Sequence, residues 1–385
     1  MTLGKDIGLV TYYKENYGSI LQCYATKSFL ESVGFHCHVL YQKYDSMQYF
    51  ELRLKNLLYH AYKSVRYNGY FTKYISMRKS MQKEKGFLTA EALKKQNEFV
   101  SDAIKPEGFT WGELCEIAKR ENYVAFIAGS DQIWNASIHI DPIYFLKFAP
   151  KEKRIALAPS FGIGAIPEYN KKTVRNGVKG FERIAVREKT GENIIESLCD
   201  VPTIQVTDPV FLLNRKQWEQ FGKNEKVPKD SYIFVHFLNP PKGQMIYEIE
   251  KLSKRLSSQV LCFSYDHQEY TLFKNAIHID GNPREYVALI QNAKCVCTDS
   301  FHSTVFSILL HTDFYTFPRQ HLHTASQSSR ITDLLERYGL QNKYCEGDIF
   351  SDRLPIDGWN IIDEISTSNK FVLEKYLKEA LKKRF

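Results

Sequence analysis

The feature that most restricts the fold of this chain is how its hydrophobic spacing changes over the first forty or so residues. Residues 6–12 read as a strand, a polar loop follows through Asn16, Tyr17, Gly18 and Ser19, and Leu21, Tyr24, Ala25, Ser28 and Phe29 then recur at helical spacing. Gly34 closes that helix ahead of a second strand at 37–41. Two strands joined by a crossover helix can pair only in parallel, so a parallel sheet covered by helices is the natural class. The same alternation resumes with strands at 123–128, 154–159, 183–187 and 203–207, separated by helical stretches at 172–181 and 190–198. Between the second and third strands lies a long aromatic and charged region, 47–118, which reads as helices inserted into the sheet.

A chain of 385 residues exceeds what one core usually organises, and two domains of roughly 150 to 200 residues are expected. The hydrophilic segment that ends near Asp230 is the candidate boundary, giving a first domain at 1–215 and a second at 230–365. Strands at 232–237, 260–263 and 295–298, with a helix at 246–256, build the second sheet, and a final helix at 369–382 within 366–385 is long enough to pack back across both halves. The net charge of +8 is spread widely and licenses only a modest pull on anions. The basic, Tyr-rich stretch 55–78 and the tail Lys382, Lys383, Arg384 read as solvated helix faces, with nucleic acid or an anionic membrane surface as the alternatives. No nucleic-acid partner is expected, and peripheral membrane contact stays open. No run approaches ~18 apolar residues and the start lacks a leader pattern, so a cytoplasmic protein without a transmembrane segment is expected. Eight scattered cysteines fit thiols better than a disulfide framework.

Several strand ends carry chemistry. The loop Asn16 to Ser19 opens a helix, where free N–H groups and the dipole favour an anion, although Ser19 equally fits a plain cap and Gly18 a plain turn. After the strand 123–128 come Gly129, Ser130, Asp131, Gln132, Trp134 and Asn135, polar groups beside a flat aromatic of the kind that binds sugars; a helix cap and a core tryptophan are the structural alternatives. Ser160 and Gly162 form another strand-end loop. Arg187 ends its strand and can fork onto a carboxylate or phosphate, or pair with Glu188, while Asp208 and Pro209 read as a structural turn. In the second half, Asp299, Ser300, His302, Ser303 and Thr304 share one loop and first helical turn, offering donors to an anion and an imidazole able to move a proton; a histidine satisfied by Asp299 is the alternative. Arg319 and Arg330, the latter after Ser328 and Ser329, are candidate cleft cations. The pairs His36/His38, His321/His323 and Cys295/Cys297 lack the second ligand pair that zinc needs, so no metal is expected.

Taken in order, the Asn16-Tyr17-Gly18-Ser19 loop, Gly129 to Trp134, Val186-Arg187-Glu188, the Asp208 to Phe211 turn, Asp299 to His302 and Ser329-Arg330-Ile331 resemble the polysaccharide pyruvyl transferase family. The resemblance implies two Rossmann-like domains facing across a cleft, glycosyltransferase-B-like, with a helical insert in the first. It implies transfer of pyruvate from phosphoenolpyruvate to a sugar of a surface polysaccharide or its lipid- or nucleotide-linked precursor, forming a ketal without a metal or resident cofactor.

By position, Arg187, His302 and Arg330 match the family's phosphoenolpyruvate-binding residues. The family often carries lysine at the position of Arg330, and Arg319 is the rival second-domain cation. Ser300, Ser303 and Thr304 would add donors to the phosphoenolpyruvate. His302 is expected as the acid and Asp131 as the group that orients or deprotonates the acceptor. Two other functions stay open: a nucleotide-sugar glycosyltransferase, for which Glu285 is the candidate ribose ligand, and a non-catalytic protein that binds an anionic glycan.

Overall fold

The computed structural model describes residues 5–382 apart from 45, 86, 139, 320–328 and 347–348. His321, His323, Ser328, Lys383 and Arg384 lie outside the described residues. The first sheet contains β1 (Asp6–Val10), β2 (His36–Gln42), β3 (Glu107–Phe109), β4 (Tyr123–Ala128), β5 (Arg154–Leu157), β6 (Ile184–Val186) and β7 (Thr203–Gln205). The second contains β8 (Tyr232–His236), β9 (Gln259–Phe263), β10 (Ile277–Ile279), β11 (Cys295–Thr298) and β12 (Phe314–Thr316). Their orders are β3-β2-β1-β4-β5-β6-β7 and β10-β9-β8-β11-β12, and every pairing is parallel. The expected α/β class with two Rossmann-like, glycosyltransferase-B-like halves is the architecture observed.

Strand order determines where a site can form. In each sheet the chain reverses its direction of travel once, beside β1 and β4 in the first and beside β8 and β11 in the second. At such a point the flanking crossover helices lie on opposite faces, and a crevice opens at the carboxyl ends of the strands. The loops that leave β1, β4, β8 and β11 carry Asn16 to Ser19, Gly129 to Asp131, His236 to Asn239 and Asp299 to His302.

Two expectations about the fold need correction. The region 47–118 is not purely helical: besides Ser46–Arg66, Tyr70–Lys85, Ala90–Phe99 and Trp111–Lys119 it contributes β3, an edge strand paired with β2. Three residues including a glycine carry too little β-pattern to announce themselves. The last helix, Trp359–Lys382, begins ten residues earlier than its apolar spacing implies. Its first turn stacks Trp359 on His311 at 4.8 Å. Farther on, the Tyr376 hydroxyl donates to the carbonyls of Ala156 and Arg183 at 2.9 and 3.2 Å, so the helix runs from the second sheet's layer to the first.

The halves share one continuous core that includes Leu9 and Ile127 from the first sheet and Phe234 and Val296 from the second. Tyr17 sits at its centre. It was expected at the cleft, yet its ring is buried and stacks on Tyr286 with centroids 5.0 Å apart. Its hydroxyl lies 2.8 Å from Ser264 Oγ and donates to the Gly281 carbonyl at 2.5 Å. A ring that large can be buried only if its one polar atom is satisfied, and the second half supplies both partners. Tyr17→Phe keeps the ring and strands those partners, so it is expected to lower unfolding stability by about 1–3 kcal/mol. Chemical denaturation followed by circular dichroism checks this, with an unchanged midpoint as the contrary result.

Candidate active site

Asp208 is the node of the site. It caps the short turn Pro209–Leu212 through Oδ1, which accepts the Val210 N–H at 3.0 Å. Its other oxygen, Oδ2, accepts from Arg187 Nη1 at 2.7 Å and lies 3.4 Å from His302 Nε2. Arg187 follows β6, Asp208 follows β7 and His302 stands in the first turn of the helix Phe301–Leu310 behind β11. Burial by itself would raise the Asp208 carboxyl, but the interaction with the nearby His302 imidazole, then Arg187 and the Val210 N–H, hold it well below the usual carboxylate range.

Two arginines gather on one aromatic ring. The guanidinium of Arg187 lies 4.5 Å and that of Arg330 5.6 Å from the centre of the Phe301 ring. Arg187 Nε is 3.7 Å from Glu188 Oε2, and neither Nε nor Nη2 of Arg187 makes a hydrogen bond among the described residues. Burial pushes Arg330 down to about 9, with the charge of Arg187 acting in the same direction and Glu188 and Asp131 against it. Buried like charges side by side are unfavourable unless an anion joins them. The N–H groups of Phe301 and His302 open the same helix.

Asp131 approaches from the first sheet. It follows β4 with φ +67°, a left-handed conformation that turns its side chain out of the strand, and Oδ2 accepts the Ser19 hydroxyl. Burial raises its carboxyl, but His302, Arg187, the Ser19 hydroxyl and Arg330 together bring it below its ordinary value. Asp131 therefore stands in the field of Arg187 from its own half and of His302 and Arg330 from the other. Gly18 explains the close approach: a Cβ there would fall inside the His302 ring.

The other expected residues divide into two groups. Asn16 caps the first helix, accepting Gly18 N–H at 2.9 Å and Ser19 N–H at 3.3 Å, so those two N–H groups are already occupied and the expected anion cradle there is corrected. Gly129 lets β4 pass Thr11, and Ser130 is fully buried behind it. Gln132 and Asn135 are half-buried and paired at 3.0 Å, with Gly162, at φ +62°, beneath the Gln132 amide. Ser160 donates to Glu188 Oε1 at 2.7 Å, which also accepts the Phe161 N–H.

Trp134 is not a sugar platform. It is fully buried against Phe145, Phe161 and Phe181, and its Nε1 donates to the Tyr144 carbonyl. Ser303 and Thr304 also face inward. Ser303 Oγ lies 2.8 Å from both His236 Nδ1 and the Tyr286 hydroxyl, while Thr304 Oγ1 donates to the Ser300 carbonyl. Ser300 accepts the Ser303 N–H as the helix cap. Asp299 does not serve His302; it accepts the N–H groups of Leu238 and Asn239 at 2.6 and 3.0 Å, and burial raises it to about 6. Arg319 Nε donates to Asn239 Oδ1 at 3.1 Å, joining that loop instead of the Phe301 ring. Among the described residues no group of three or more His, Cys, Asp and Glu is placed to hold a metal.

Sequence reasoning missed Asp208, Glu188 and Phe301 as members of the site. An Asp-Pro pair announces a turn, and one oxygen suffices for that; what the second oxygen does is a tertiary fact.

The family model described as polysaccharide pyruvyl transferase matches residues 16–321. No curated protein matches the chain by sequence. Among solved structures, the UDP-GlcNAc 2-epimerase of Methanocaldococcus jannaschii is similar over 94% of this chain and 91% of its own, with 9% identity and a TM-score of 0.50. The UDP-GlcNAc 2-epimerase of Neisseria meningitidis bound to UDP-GlcNAc shares 10% identity over 97% and 94%, with a TM-score of 0.46. MurG of Acinetobacter baumannii shares 8% over 98% and 95%, with a TM-score of 0.42. At these identities the likeness concerns fold alone.

Removing the charge at the node tests its energetics. Asp208→Asn leaves Arg187 buried without its closest counter-ion and is expected to cost about 3–5 kcal/mol at neutral pH. Because the folded-state value is depressed, the carboxylate contributes fully above its unfolded value of about 3.9 and loses that contribution as pH falls below it. Denaturation curves from pH 7 downward should therefore show wild type and Asp208→Asn converging only in acid. A gap that stays constant with pH would contradict the ion pair.

Proposed function

Because the chain belongs to the polysaccharide pyruvyl transferase family, we propose that it transfers pyruvate from phosphoenolpyruvate to two hydroxyls of a sugar in a surface polysaccharide or its lipid- or nucleotide-linked precursor, forming a cyclic ketal and releasing phosphate. The observation that carries this reading is the convergence of Arg187 and His302 on one oxygen of Asp208, with Arg330 on the shared Phe301 ring and Asp131, bonded to Ser19, under the influence of the same three side chains. Phosphoenolpyruvate presents a carboxylate and a phosphate a few ångströms apart, and two guanidinium groups beside an open helix start suit such a dianion.

The chemistry balances with these two substrates. A proton adds to the methylene carbon of phosphoenolpyruvate, a sugar hydroxyl bonds to the neighbouring carbon and gives up its proton, and the carbon–oxygen bond to phosphate breaks. A second hydroxyl then closes the ketal, and its proton leaves with phosphate. His302 is the group that delivers a proton to the methylene carbon or the departing phosphate, and Asp208 holds the imidazole in place as a positioning residue. Asp131, kept ionised by the cations around it and aligned by Ser19, orients or takes the proton of the attacking hydroxyl. Closure of the halves excludes water from the reacting carbon.

The nucleotide-sugar alternative loses its candidate ligand. Glu285 accepts the Asn282 N–H at 2.7 Å in a capping box and pairs with Lys95 at 3.6 Å, which occupies the carboxylate away from any ribose.

Release of phosphate from phosphoenolpyruvate across a panel of lipid-linked and nucleotide-linked sugars tests the reading. His302→Ala is expected to lower the rate by roughly 10² to 10⁴ with the circular dichroism spectrum unchanged. A His302→Ala variant of near-normal rate would remove this residue from the chemistry. Turnover of nucleotide sugars in place of phosphoenolpyruvate would replace the reaction.

A further inference from the structure

The helical hairpin of Ser46–Arg66 and Tyr70–Lys85 is the most unevenly charged part of the molecule. Residues 46–85 carry nine Lys and Arg against two Glu, and so hold seven of the chain's eight net positive charges. One side of it is fastened to the body. Lys63 is buried, donates to the Tyr169 carbonyl and lies 5.1 and 5.3 Å from the ring centres of Tyr59 and Tyr67. Tyr59 donates to Asn170 Oδ1 at 3.1 Å, and Tyr70 meets Tyr169 edge-on at 4.8 Å.

The opposite side presents apolar groups to solvent. Leu54, Leu57, Leu58 and Val65 are 49, 66, 61 and 91% exposed. At 3.6 residues per turn they fall within one arc of the first helix. Phe71, 59% exposed, extends that surface onto the second helix, and Arg66, Lys73, Arg78 and Lys79 are exposed around it. Solvated helix faces, the expectation from sequence, account for the cations and not for a leucine and valine stripe among them.

We propose that this hairpin docks the protein on an anionic membrane surface, lying in the plane of the interface with the leucines, Val65 and Phe71 at the boundary between headgroups and acyl chains. Basic residues flanking an apolar stripe are the pairing that anionic lipid recognises, since charge draws the helix in and burial holds it. Nucleic acid would engage the cations and leave the stripe in water. A second copy would set seven net positive charges against seven. None of the helices among the described residues is long and apolar enough to cross a membrane, which agrees with a helix that lies on the surface.

Through Tyr169 and Asn170 the hairpin is linked to the segment 136–138 that follows the Asp131 loop. Asn170 Nδ2, on the helix that anchors the hairpin, donates to the carbonyls of Ala136 and Ile138 at 2.6 and 2.8 Å, and the Tyr169 hydroxyl donates to Ser137 at 2.6 Å. Docking stands without the transferase reading; if both hold, the membrane lies beside the face where the acceptor enters.

Sedimentation of the full chain with vesicles of phosphatidylcholine alone, or of phosphatidylcholine and phosphatidylglycerol, tests the proposal. Binding to the anionic vesicles should exceed binding to the neutral ones by about tenfold or more at low salt, and should weaken as salt rises. Leu57→Glu with Val65→Glu should abolish it while leaving the melting temperature and circular dichroism unchanged. Lys73→Glu with Lys79→Glu should reduce it and flatten its salt dependence. Wild type that stays in the supernatant with anionic vesicles would overturn the proposal, as would equal binding by the Leu57→Glu, Val65→Glu variant. Tight binding of a DNA or RNA duplex that ignores the Leu57 and Val65 changes would reassign the face to nucleic acid, and a dimer dispersed by them would reassign it to self-association.

Discussion

The Oδ2 atom of Asp208 receives an arginine from the end of one strand and faces a histidine at the start of a helix in the other half of the molecule. The rest of the site depends on that shared oxygen. A buried guanidinium needs a partner, and a carboxylate that serves an arginine and faces a histidine ties their positions to each other. Once Arg187 and His302 are fixed, Phe301 lies under both Arg187 and Arg330, and Gly18 must lack a side chain for the imidazole to fit.

The architecture was legible because periodicity is a local property. β1, the first helix and β2 announce a parallel sheet, and the strand ends at Arg187 and His302 were marked by charged groups after apolar runs. What escaped was tertiary. Trp134 follows a strand and resembles an exposed platform, but Phe145, Phe161 and Phe181 reach it from three other segments and close it off. Ser303 and Thr304 occupy a first helical turn like His302, yet successive residues on a helix point about 100° apart, and only His302 faces Asp208. Tyr17 looked like a polar loop residue and is instead the peg joining the two halves, because Ser264 and Gly281 satisfy its hydroxyl.

The groups of the candidate site come from both halves. The second sheet's switch point supplies His302 and the helix start, the strands β6 and β7 of the first sheet supply Arg187 and Asp208, and the loop after β4 supplies Asp131. The basic hairpin adds a third region, anchored through Tyr169 and Asn170 to the segment that follows Asn135.

Arg187 and Arg330 together form the proposed site for a small dianion. Isothermal titration calorimetry with phosphoenolpyruvate addresses it directly. One site per chain is expected, which Arg187→Gln and Arg330→Gln each weaken by about tenfold or more. Absence of binding by the wild-type chain, or affinity untouched by both substitutions, would contradict it.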